Sequence, residues 1–83
     1  MIFTNYTARD LCDLAVKELA NVPKDTTFLV KDLFRGYEWD MLSLKERRNL
    51  GILFESYIQK NPDCGVEIRG KTSQKQQIYE KII

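Results

Sequence analysis

A chain of 83 residues with 43% hydrophobic and 30% charged side chains has the composition of one small folded domain, expected to span residues 1–83. Thirteen Lys and Arg against 12 Asp and Glu leave a net charge of +1, which excludes an arm held to nucleic acid by bulk charge alone. Histidine is absent, which removes Ser-His and Cys-His nucleophile pairs and imidazole zinc ligands.

The first helical pattern opens at Thr7, with Asp10 three residues on in the spacing of a capping box. Leu11, Leu14, Ala15 and Leu19 follow at helical spacing, and Asn21-Val22-Pro23 stops the run, so a helix is expected over about 7–21. Thr27-Phe28-Leu29-Val30 is β-branched and aromatic and reads as a four-residue strand. Lys31–Arg35 reads as a short second helix ended by Gly36. Residues 37–42 show no clean period and read as a connector in which Trp39 plugs the edge of the core.

Ser43 and Glu46 form a Ser-x-x-Glu capping box. Beyond it Leu50, Leu53, Phe54, Tyr57 and Ile58 span about 140° of a helix surface, so a third helix is expected over 44–60. Gly51 within it implies the close approach of another element. After the turn Asn61–Gly65, Val66–Arg69 alternates at strand period, a polar tip runs over Lys71–Gln76, and Gln77–Ile82 returns as an antiparallel partner.

Helix, strand, helix, helix, strand, loop, strand is the element order of a winged helix-turn-helix. The expected fold is therefore α+β, with three helices and a short strand pairing to a C-terminal hairpin, the wing. Helix 3 takes the place of the recognition helix, and its face opposite the apolar stripe offers candidate DNA contacts. Lys45 and Arg48 reach phosphate or guanine, Asn49 or Gln59 suits adenine, and Ile52 suits a thymine methyl or a partner protein. On the wing the candidates are Arg69, Lys71 and Lys75, interleaved with Thr72, Ser73, Gln74 and Gln76, suited to sugar–phosphate contact.

The charge is divided unevenly. Residues 1–42 hold five basic and seven acidic side chains, and residues 43–83 hold eight and five. The basic excess falls on the two elements that would meet DNA. Glu55, on the same helix face, opposes phosphate. Gly70-Lys71-Thr72 ends like a phosphate-binding loop, but the residues before it read as strand and no helix follows, so that reading is rejected.

Cys12 and Cys64 read as reduced thiols, since two sulfurs without histidine do not complete a zinc site. No apolar leader follows Met1-Ile2-Phe3 and no run is long enough to cross a bilayer, so a cytoplasmic location is expected.

Three runs together resemble a known family. They are Phe28-x-Val30-Lys31-Asp32-Leu33-Phe34-x-Gly36-x-x-Trp39, then Arg48-x-Leu50-Gly51-x-x-Phe54, then Gly70-Lys71-Thr72 with Gln76 and Tyr79. The chain resembles, over about residues 28–81, small bacterial and phage proteins of mobile elements that carry a domain of unknown function. The resemblance implies a compact winged-helix-like domain and a role in DNA transactions or regulation, and it carries over no catalytic residues. The expected function is non-enzymatic binding of double-stranded DNA, weak for a monomer and strengthened in a homodimer through helix 1 or Ile52. No cofactor, metal or small-molecule substrate is expected. The alternative is a protein-interaction adaptor or inhibitor, with the connector around Trp39 as its anchor.

Overall fold

The computed structural model of the protein describes residues 6–83; Met1, Ile2 and Phe3, considered above for a leader, lie outside the described residues. The α+β architecture is as expected, with three helices and a three-stranded antiparallel sheet. Helix α1 runs Ala8–Glu18 and tightens into a 3-10 turn over Leu19–Asn21. Strand β1 is Thr27–Phe28, a second 3-10 turn covers Val30–Leu33, α2 is Gly36–Asp40, and α3 is Leu44–Lys60. The hairpin is β2, Val66–Lys71, with β3, Gln77–Lys81. The sheet order is β1-β3-β2, so the last strand in sequence is the central one.

Four helical starts use one device. The backbone amides of Thr7, Leu29, Arg35 and Ser43 donate to the carboxylates of Asp10, Asp32, Glu38 and Glu46, each three residues on, at 2.9–3.0 Å. Thr7 and Ser43 complete the box by accepting from the amides of Asp10 and Glu46. Three of these four acids lie before residue 43, so much of the acidic excess of the first half serves helix initiation.

That device corrects two expectations. The strand at 27–30 stops after Phe28, because the Leu29 amide turns to Asp32 and the chain tightens into the 3-10 turn. Gly36 does not end a helix but begins α2, started by Glu38, and the supposed connector 37–42 is mostly that helix. Glu38 is buried, 9% exposed.

The core joins α1 to α3 and to the sheet. Leu11, Ala15, Leu50 and Phe54 are fully buried, and Tyr79 of central β3 is 1% exposed. The Tyr79 ring stacks on Phe28 at 5.8 Å and meets Phe54 edge-on at 5.0 Å. Such ring pairs add about 0.5–1.5 kcal/mol beyond their area. Burial pushes the Tyr79 hydroxyl well above the ordinary tyrosine range. Of the expected stripe, Leu50, Phe54 and Ile58 are buried, while Leu53 and Tyr57 flank them half-buried. Lys81 ties the sheet to α1, its Nζ donating to the carbonyls of Leu19 at 2.9 Å and Val22 at 3.1 Å. A cation there meets the negative end of the helix dipole.

Cys12 is buried and Cys64 half-buried, and both are free thiols. Burial, with Asp13 beside it, pushes the Cys12 thiol up. Among the described residues no helix is long and apolar enough to cross a membrane, and no group of three or more His, Cys, Asp or Glu side chains gathers as metal ligands.

Candidate functional site

A groove of about 670 Å³ opens between α3, the segment after β1, and the far end of the hairpin. From the α2–α3 side come Trp39, Leu44, Arg47, Arg48, Gly51, Ile52 and Glu55. Across it stand Lys71, Gln74, Lys75, Gln76 and Gln77, and Leu29, Val30 and Lys31 close one end. Among the described residues, five cationic side chains, Lys31, Arg47, Arg48, Lys71 and Lys75, share this space with one carboxylate, Glu55.

A β-bulge aims the hairpin. Ile68 pairs with Tyr79 and Lys71 with Gln77, so β2 spends three steps where β3 spends two. By simple alternation Lys71 would share a face with Arg69; the extra residue turns it to the face of Tyr79 and into the groove. Gln77 Nε2 donates to the Gly70 carbonyl at 2.6 Å across the bulge. Arg69 stays on the other face, where its Nε donates to Glu80 at 2.7 Å and its Nη2 reaches Glu67 at 3.4 Å. The Glu80 hydrogen bond, with Glu67 nearby, holds Arg69 still more firmly protonated and offsets its charge locally.

The hairpin tip is a three-residue loop closed by Thr72. Its amide donates to the Gln76 carbonyl at 2.9 Å, and its carbonyl accepts from Lys75 N at 2.9 Å. Its Oγ1 accepts from the amides of Gln74 and Gln76 at 3.2 and 3.1 Å. Lys75 adopts φ +66°, the left-handed position that such loops usually give to glycine.

Arg47 links the groove to the turn before α3. Its Nη2 donates to the Trp39 carbonyl at 3.1 Å, its guanidinium carbon lies 5.5 Å from the Trp39 ring centroid, and Asp40 is at 4.0 Å. Its Nε is buried without a hydrogen-bond partner among the described residues. Trp39 is half-buried, tilted against Phe34 at 6.0 Å between centroids, and so sits at the core edge.

Of the sequence candidates, Arg48, Ile52, Lys71, Gln74, Lys75 and Gln76 line the groove together. Lys45, Asn49 and Gln59 are exposed on α3 away from it, and Ser73 is exposed at the tip. Arg69 faces away in its ion pairs, and Thr72 is occupied in the turn. Sequence reasoning missed Lys31, Arg47 and Gln77. Among the described residues Gly51 has no close neighbour: a Cβ built there meets nothing within 4 Å, so no other described element approaches it. A second, smaller groove of about 390 Å³ is acidic, with Glu18, Asp32 and Glu38 against Arg35.

The family model described as "Domain of unknown function (DUF1413)" matches residues 14–81. The chain belongs to that family. A solved structure named "SCCmec type IV LP1413 - nucleic acids binding protein" is similar to this DUF1413 chain with a TM-score of 0.75 and 22% identity, covering 100% of this chain and 95% of the other. At that identity the likeness establishes the DUF1413 chain's fold. No curated protein matches it.

Proposed function

We propose that this protein binds nucleic acid, holding a sugar–phosphate backbone in the groove between α3 and the hairpin. The observation that carries the reading is the convergence of Lys31, Arg47, Arg48, Lys71 and Lys75 from three separated segments, in a chain whose net charge is only +1. Guanidinium and ammonium groups interleaved with the flexible amides of Gln74, Gln76 and Gln77 suit phosphate and sugar oxygens. The name of the similar solved structure supports the same class of ligand. The described residues of the groove lining set five cations against one carboxylate, the composition of an anion-binding surface, so we read a binding protein rather than an enzyme.

The finer reading is a small regulator or accessory factor of double-stranded DNA, with Arg48 reaching phosphates or base edges and Lys71 and Lys75 on the backbone. Two copies on one site would double a small interface. Ile52, on the groove wall, serves the ligand in this reading rather than a dimer contact. A protein adaptor is the second reading, favoured by the exposure of Tyr37, Met41 and Leu44, at 54%, 54% and 77%.

Fluorescence anisotropy with a labelled DNA duplex and with each of its single strands, at about 50 and about 200 mM salt, tests the proposal. Binding that weakens with salt supports it, and the tighter of the two DNA forms decides the finer reading. No binding below ~100 μM at low salt contradicts it, because non-specific association alone is tighter than that.

A further inference from the structure

Gly51 lies near the middle of the 17-residue α3, where glycine is the poorest helix former short of proline. The usual structural reasons for a glycine are missing. Its φ is not in the left-handed region, and a side chain there would meet no other described part of the protein within 4 Å. What adjoins it is the groove. Arg47 and Arg48 stand one turn before Gly51 on α3 and Glu55 one turn after, so the missing side chain opens the middle of the α3 wall.

We propose that Gly51 is a ligand-contact position, at which a nucleotide's sugar–phosphate packs directly on the α3 backbone. The inference rests on the nucleic-acid reading above and specifies where in the groove the strand runs closest. Arg47 and Arg48 neutralise the phosphate on the N-terminal side of Gly51. Glu55 repels the next phosphate and turns the backbone away from the C-terminal half of α3. The glycine thus exchanges helix stability for close approach, a recognised use of the residue.

Opposite effects on stability and binding make the idea testable. Gly51→Ala should raise Tm by about 4–8 °C through helix propensity alone. The same change should weaken anisotropy-measured binding of a labelled DNA duplex or strand about fivefold or more, and Gly51→Leu should weaken it further. Gln59→Ala, exposed on the same helix and off the groove, should bind like the parent. If the parent binds and both Gly51 variants bind equally well, the assignment is overturned and the groove proposal stands. A fall in Tm for Gly51→Ala also overturns it, since the fold itself would then need the glycine. A parent that binds neither form of DNA removes the groove proposal and this inference together.

Discussion

Replacing Lys75 with glycine separates the charge of the hairpin tip from its shape. Lys75 sits at φ +66°, a conformation that costs an L-residue roughly 1 kcal/mol or more and glycine almost nothing. Glycine gives back about 0.5–1 kcal/mol through the freedom it adds to the unfolded chain, so the net change in stability is near zero or slightly favourable. The Thr72 turn depends on backbone groups and on the Thr72 hydroxyl, and glycine leaves both in place. Binding should respond differently. One lost phosphate contact reduces the salt slope by about 0.9, which at about 0.1 M salt is roughly eightfold in affinity, or about 1.2 kcal/mol. Anisotropy titrations over a salt series, with a melt of each protein, give both quantities. Arg69→Ala is the control: its guanidinium is held by Glu80 and Glu67 on the opposite face, so slope and affinity should stay at the parent's values. A folded Lys75→Gly protein with unchanged affinity and slope refutes the assignment, and so does an Arg69→Ala loss of equal size.

Other outcomes follow from the fold. Lys81→Met removes a charged donor from the carbonyls of Leu19 and Val22 and should cost about 1.5–3 kcal/mol, read as a lower urea midpoint at unchanged m-value. Phe54→Ala, at a fully buried site touching Tyr79, should cost about 3–5 kcal/mol, whereas half-buried Leu53→Ala should cost about 1–2 kcal/mol in the same assay. Glu46 is held below the ordinary carboxylate range by hydrogen bonds from Ser43. The folded state therefore releases this proton more readily than the unfolded one. The stabilisation is complete above the ordinary carboxylate pKa and is lost as pH falls through the lowered value. Glu46→Gln should accordingly show a shallower loss of urea midpoint between about pH 6 and about pH 3.

Where local chemistry decides structure, the sequence was readable. The Thr7-Asp10 and Ser43-Glu46 boxes place the starts of α1 and α3, and apolar spacing identifies Leu50, Phe54 and Ile58 as core. The same acid three residues on also starts α2. It was hidden because Arg35, unlike Ser or Thr, offers no side-chain oxygen for the other half of the box. The strand was read as ending at Arg69, and only the paired register shows that β2 continues through Gly70 to Lys71 with a bulge that turns Lys71 away from Arg69. Arg47 and Lys31 join Lys71 and Lys75 through tertiary folding across 40 residues of chain, and no spacing in the sequence encodes that meeting. Gly51 was legible as an anomaly, yet the expectation that another element packs on it was wrong, because the space beside it is the open groove.

The central claim concerns which groove takes the ligand, and amide chemical-shift mapping answers it directly. The ¹⁵N-labelled protein is titrated with a short DNA duplex and, separately, with its single strands. The account predicts that the largest shifts fall on Lys31, on Arg47 through Glu55, and on Lys71 through Gln77, and that they diminish as salt is raised. Shifts concentrated instead around Glu18, Asp32 and Glu38, or on the Arg69 face of the hairpin, would contradict it.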